Sequence, residues 1–61
     1  MINELKTKIK ACLMTNNHDE AMLLLIRLAE IRMLQHDNVR VKNIMKMLIE
    51  MIDNNSRTSK N

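Results

Sequence analysis

The chain contains neither glycine nor proline in its 61 residues. These two residues build the tight turns of β-hairpins, because glycine reaches positive φ without strain and proline presets its own φ. Phe, Tyr and Trp, which are enriched in β-strands, are also missing. The apolar 46% of the chain therefore consists of Leu, Ile, Met, Val, Ala and one Cys. This inventory predicts an all-α protein.

A first helix is predicted over residues 2–15. Its apolar positions are spaced three, four and three residues apart, which is the spacing of one helical face. They are Ile2, Leu5, Ile9 and Cys12. The polar run at 15–17 favours a break after this helix. Asn17 and Glu20 then have the spacing of a capping box, in which the two side chains cover backbone donors at the start of the next helix.

The second helix is predicted over residues 18–35, and it is apolar around well over half of its circumference. Arg32 is the chief interruption of its apolar surface, and Leu23 and Leu34 lie on the remaining side beside Arg27 and Glu30. A helix of this kind needs cover on most sides. We therefore expect it to be the central helix, covered by neighbours from its own chain or from another.

The third helix is predicted over residues 39–53, with Asp37 or Asn38 as its N-cap. Its apolar stripe is Val41, Ile44, Met45, Leu48, Met51 and Ile52. Residues 54–61 contain no apolar side chain and are predicted to form a flexible polar tail. Because neither Gly nor Pro lies near His36, the sequence leaves open a merger of the second and third helices into one rod.

The predicted architecture is thus a small bundle of three helices in a single domain over residues 1–53. So short a chain builds only a small core, and small cores are often completed by another chain. We therefore expect a homo-oligomer, most simply a homodimer. The segment 17–21 resembles the turn and second-helix start of a tetratricopeptide repeat. The aromatic and glycine positions of that repeat are absent, and no family is assigned.

Catalytic chemistry is not expected. Cys12 is the only thiol and lies on an apolar stripe, and the two histidines match no zinc spacing. No glycine-rich loop is present to hold a phosphate. We accordingly predict no enzyme activity, no metal and no cofactor. The longest apolar run, 21–26, is six residues, whereas a membrane span needs about 20. With no visible secretion signal, a cytoplasmic location is the expectation.

The function predicted from the sequence is stoichiometric binding of another protein by a small regulator, inhibitor or assembly factor. Methionine is flexible and polarisable and suits surfaces that mould to a partner. The richness in Asn, Ile and Lys also fits an AT-rich genome such as that of a phage or plasmid. The residues predicted to form a partner or dimer interface are Leu23, Met33, Leu34, Met45, Met47, Leu48 and Met51.

Nucleic-acid binding by a small DNA or RNA regulator is the alternative. The net charge of +3 permits it without requiring it. Lysines project from the first helix, and basic residues with one Asn lie on the third, where Arg and Asn can contact base edges. The residues predicted for this role are Lys6, Lys10, Arg40, Lys42, Asn43 and Lys46.

Overall fold

The computed structural model describes the backbone of residues 1–59 and the side chains of residues 1–54. It contains three helices, α1 (Ile2–Met14), α2 (His18–Leu34) and α3 (Asn38–Ser59), and no strand within residues 1–59. The predicted all-α architecture of three helices is therefore confirmed. The two breaks lie where the sequence predicts them, and α2 and α3 are separate helices and not one rod.

Both turns between helices are built from the same hydrogen bonds although neither contains glycine. Asn16 and His36 take positive φ values of 59° and 60°. In the first turn Asn16 N–H donates to the Leu13 carbonyl (3.3 Å) and Asn17 N–H to the Cys12 carbonyl (2.8 Å). This pattern is a Schellman motif, which covers the free carbonyls at a helix C-terminus.

The second turn repeats the motif twenty residues later. His36 N–H donates to the Met33 carbonyl (3.0 Å) and Asp37 N–H to the Arg32 carbonyl (2.9 Å). In each turn the residue after the positive-φ position is already the N-cap of the next helix. The chain therefore reverses within three residues, and its neighbouring helices lie side by side.

The two N-caps differ in their chemistry. Asp37 caps α3, since its Oδ1 accepts a hydrogen bond from Arg40 N–H at 3.3 Å, as expected for one of the two candidate caps. Asn17 is the N-cap of α2 but makes no side-chain hydrogen bond there. The position of this N-cap is thus predicted correctly, but the prediction that the Asn17 side chain caps the helix is wrong.

The three helices form an open array with α2 in the middle. Met1, the N-cap of α1, lines a groove with Leu34, and Ile52 of α3 lines another with Met22, so each outer helix runs antiparallel to α2. Within the described residues, α1 and α3 each pack on α2, but their backbones do not approach each other. The molecule measures 40 × 20 × 12 Å. This flat arrangement leaves a groove between α1 and α3 and an open side on α2.

The core comes from all three helices and contains no buried polar side chain among the described residues. Ala21 is fully buried and Leu25 is 3% exposed, which places α2 at the centre of the core. The core residues are Leu5, Ile9, Ala21, Leu25, Leu28, Ala29, Ile44, Leu48 and Met51. Leu48 and Met51 were predicted to lie in an interface, but both are buried within the chain.

The third helix extends further than its apolar stripe. Its helical backbone continues to Ser59, six residues beyond the predicted end at 53. The flexible tail predicted over 54–61 stays a prediction, because side chains after residue 54 and the backbone of residues 60 and 61 lie outside the described part of the chain.

Candidate protein-binding surfaces

An apolar groove, here called the front groove, runs between α1 and α3 with α2 as its floor. It has a volume of about 260 Å³. Its floor consists of aliphatic side chains, among them Leu25 and Leu28 of α2, and polar groups stand at its edges. The groove is lined by Lys6, Ile9, Lys10, Leu13, Leu25, Leu28, Asn43, Ile44 and Met47. An apolar floor with a polar rim is typical of a surface that takes the apolar face of a ligand.

The rim of the front groove is basic. A recess of about 180 Å³ shares Lys6 and Asn43 with the groove and adds Arg32 and Arg40 to its lining. Lys6 and Lys10 form no ion pair within the described residues. Four cationic side chains therefore surround one apolar depression, and none of the residues lining it is acidic.

One carboxylate, that of Asp37, partly balances this rim. Its Oδ2 lies 3.1 Å from Arg40 Nε and 3.8 Å from Arg32 Nη1. Arg32 Nη1 also donates to Gln35 Oε1 at 3.4 Å. The two arginines are thus held in place at the end of the groove nearest the second turn. With four cations against one carboxylate, the front of the molecule keeps an excess of positive charge.

The six residues predicted for nucleic-acid contact divide into two groups in the structure. Lys6, Lys10, Arg40 and Asn43 line the front groove or its recess. Lys42 and Lys46 are exposed on α3 and line neither. Arg32, which the sequence analysis treated as an interruption of the apolar surface, lies with the first group. Arg32 follows Leu28 by four positions along α2, so the two share a helical face. This spacing is the only sequence signal that could have placed Arg32 beside the groove.

On the other side of the molecule α2 stands as an exposed ridge between two grooves. The groove toward α1 has a volume of about 780 Å³, and the groove toward α3 about 390 Å³. Leu23 and Ile26 line both grooves, so they form the ridge between them. The groove toward α1 is also lined by Arg27, Glu30 and Leu34 of the same helix.

We define the back stripe as Leu23, Arg27, Glu30 and Leu34, four exposed residues spaced four, three and four apart along α2. This spacing places them on one helical face. Leu23 is 63% exposed and Leu34 is 82% exposed. The stripe lies on the side of α2 opposite to Leu25 and Leu28, which line the front groove. The helix therefore has an apolar side that neither α1 nor α3 covers.

Five of the seven residues predicted for a partner or dimer interface are exposed: Leu23, Met33, Leu34, Met45 and Met47. Met47 lines the front groove and Leu23 the back grooves, so the set does not form one patch. Leu48 and Met51 are in the core. Their positions on α3 follow the same periodicity as those of exposed Met45 and Ile52, so periodicity alone does not distinguish the buried residues from the exposed ones. Six further exposed apolar residues are not in the predicted interface: Met1, Met14, Ile26, Val39, Ile49 and Ile52.

Comparison with protein-family models, with curated proteins and with solved structures finds no match to this chain. No helix within the described residues combines the length and apolar character needed to cross a bilayer. Nor do the described residues contain a cluster of three or more His, Cys, Asp or Glu side chains with metal-binding geometry. The exposed apolar surfaces are thus the features from which a function can be argued.

Proposed function

We propose that this protein is a small, non-enzymatic regulator or inhibitor that acts by stoichiometric binding to another protein. The observation that supports it is the distribution of apolar surface. Eleven large apolar side chains are exposed in the described part of the chain, against nine apolar residues in the core. Several of them gather at grooves, with Met47 at the front groove and Leu23 and Ile26 on the ridge at the back. Apolar surface gathered in a patch marks an interaction site, whereas singly exposed apolar residues are normal. A cytoplasmic location and a phage or plasmid origin stay predictions.

The front groove is the site proposed for the partner protein. Its apolar floor suits the apolar face of an amphipathic helix, which is a common mode of peptide recognition. Its rim of Lys6, Lys10, Arg32 and Arg40 favours acidic residues beside that face. The proposed occupant is therefore an amphipathic helix of the partner with Leu-like side chains on one face and Glu or Asp along its edges.

Self-association is the second part of the proposal, and the back of the molecule favours it. The groove toward α1 is lined by two cationic side chains, Lys8 and Arg27, and by two carboxylates, Glu20 and Glu30, so its side-chain charges are balanced. Two copies meeting there do not repel each other. Two copies meeting at their front grooves would bring two basic rims together, which is unfavourable.

Nucleic-acid binding is the second candidate, because four of the six residues predicted for it line the front groove or its recess. A phosphate backbone would contact Lys6, Lys10 and Arg40, and Asn43 lines both the groove and its recess. The apolar floor opposes this candidate, since it offers nothing to a phosphate. The complete absence of Phe, Tyr and Trp also removes the side chains on which unpaired bases stack.

Two labelled peptides and one labelled DNA duplex distinguish these candidates. The first peptide is an amphipathic helix with Leu on one face and Glu beside it, and the second has Lys in place of Glu. We expect fluorescence anisotropy to show binding of the acidic peptide, weaker binding of the basic one, and only weak, salt-sensitive binding of the duplex. Preference for the duplex, with a steep loss of affinity between low and moderate salt, would favour the nucleic-acid candidate.

A pair of matched double variants tests the site itself. Lys6→Ala with Lys10→Ala removes two charges from the rim, and Lys42→Ala with Lys46→Ala removes two from the outer face of α3. Each exposed ion pair contributes about 0.2–1 kcal/mol, so the first variant should bind the acidic peptide about 2- to 30-fold more weakly. The second should bind almost as the unmodified chain does. Equal effects of the two variants would show that only net charge matters and would reject the groove as the site.

A further inference from the structure

The back stripe is self-complementary under two-fold symmetry. In an antiparallel pair of α2 helices that cross between residues 28 and 29, position 23 lies opposite 34 of the other copy and position 27 opposite 30. Leu23 therefore meets Leu34 of the second copy, and Arg27 meets its Glu30. The symmetry repeats both contacts. One stripe thus supplies two Leu–Leu contacts and two Arg–Glu pairs without any other partner.

We propose that a second copy of this chain covers the back stripe, with the two α2 helices antiparallel and in this register. The inference rests on the self-association proposed above, and adds its surface, direction and register. A two-fold interface requires one patch that is complementary to itself. The order Leu, Arg, Glu, Leu along the stripe meets this requirement, whereas the basic rim of the front groove does not.

The flanks of the stripe support the same occupant. Ile26 lies beside it and joins Leu23 on the ridge between the two back grooves. Ile52 of α3 and Met1, the N-cap of α1, line the outer walls of these grooves. When the α2 ridges of two copies meet, these apolar flanks of one copy face those of the other. The resulting dimer is two layers of three helices with α2 at the centre of each.

In this dimer the apolar side chains on the open side of α2 become buried. Leu34, 82% exposed in the single chain, moves into contact with Leu23 of the other copy. The front grooves face outward on opposite sides of the assembly. The dimer therefore presents two front grooves, and it can hold two partner molecules.

Charge reversal tests the pairing. Arg27→Glu makes the central part of the stripe wholly acidic, and Glu30→Arg makes it wholly basic. Each variant alone places like charges opposite one another, and we expect its dimer dissociation constant to rise about 10- to 100-fold. Mixing the two variants in equal amounts restores opposite charges at every position. Native mass spectrometry should then show the mixed dimer in preference to either homodimer, since the two chains differ in mass.

The direction of the helices is tested by disulfide formation in a Cys12→Ser background. Chains with Leu23→Cys are mixed with chains with Leu34→Cys and oxidised. The antiparallel register predicts disulfides between the two variants, and none within either variant alone, because positions 23 and 34 are about 16 Å apart along a helix. Circular dichroism of each variant verifies that its helices are intact.

Two results would overturn the proposal, and a third would show that it is independent of partner binding. A mass of 7.2 kDa for the unmodified chain at about 100 μM would reject self-association altogether. Disulfides between two copies of position 23, or a dimer unaffected by either charge reversal, would reject this α2–α2 interface but not self-association. Loss of the dimer without loss of peptide binding in the front groove would leave the partner-binding proposal intact.

Discussion

The two sides of α2 both carry leucines but differ in burial and in charge. On one side Ala21 and Leu25 are almost completely buried by α1 and α3, and on the other Leu23 and Leu34 are largely exposed. A helix that has apolar residues all round is normally buried all round. Within one chain α1 and α3 cover one side of the central helix, and the proposed dimer would cover the other.

Charge distinguishes the two sides as well. The front groove has a rim of four cations with Asp37 as the one carboxylate paired to it. The open side of α2 carries Arg27 and Glu30 in equal number. A surface with one sign of charge favours a partner of the opposite sign, whereas a balanced surface can favour its own copy. The two sides are therefore suited to different occupants.

The largest expected effect contrasts one leucine from each side of α2. Leu25→Ala removes a buried side chain and leaves a cavity, which should cost about 2–5 kcal/mol of folding free energy. Leu34→Ala should change the stability of the single chain by less than about 0.5 kcal/mol. Urea unfolding followed by circular dichroism at 222 nm measures both, at protein concentrations well below and well above the dimer dissociation constant.

In that experiment the protein concentration separates the stability of the single chain from the stability that dimerisation adds. Dimerisation stabilises the folded chain by mass action, so Leu34→Ala should lower apparent stability only at the high concentration. Leu25→Ala should lower it at both. A large loss for Leu34→Ala at low concentration would show that the open side of α2 is already packed within one chain.

The next effect concerns how closely the outer helices approach α2. Ala21 is fully buried in the core, and Ala21→Leu should force neighbouring side chains apart at a cost of about 1–3 kcal/mol. Ala11→Leu makes the same chemical change at an exposed position of α1 and should be nearly neutral. Thermal unfolding of the two variants measures the difference. Equal melting temperatures would mean that the packing around Ala21 is loose.

Much of the fold could be predicted from local sequence, but the division of the apolar residues could not. The helices, their breaks and the Asp37 cap follow from periodicity and from polar residues at helix ends. The rotation of α3 about its axis, relative to α2, decides that Leu48 and Met51 are buried and that Met45 is exposed. Neighbouring apolar stripes on one helix have the same period, so the sequence alone does not say which of them the chain covers.

The candidate site shows the same limit. The basic residues of α1 and α3 were identified individually, but their convergence on one groove depends on the antiparallel packing of both helices on α2. Lys6 and Lys10 meet Asn43 across the groove, while Lys42 and Lys46, just as basic, lie elsewhere on α3. The end of α3 was placed too early because the apolar stripe stops before the helical backbone does.

A smaller effect links the stability of α3 to the charge of the front groove. Asp37→Ala removes the side-chain cap of α3 and should destabilise the chain by about 1 kcal/mol. It also frees Arg32 and Arg40 from their shared carboxylate, so the acidic peptide should bind about twofold more tightly. Asn17→Ala is the matched control, since Asn17 makes no capping hydrogen bond. Tighter binding combined with lower stability is the expected signature, and weaker binding would show that Asp37 itself supports the site.

The smallest effect tests the turns that hold α1 and α3 against α2. A residue other than glycine at positive φ costs about 1–2 kcal/mol, and Asn tolerates this conformation better than most. Glycine removes that strain but gains about 0.5–1 kcal/mol of entropy in the unfolded chain. His36→Gly should therefore stabilise the chain by about 0.5 kcal/mol, and Asn16→Gly should leave it nearly unchanged. Urea midpoints of the two variants at low protein concentration measure this difference without the contribution of dimerisation. A loss of stability in His36→Gly would show that the imidazole ring makes contacts in the second turn that outweigh its backbone strain.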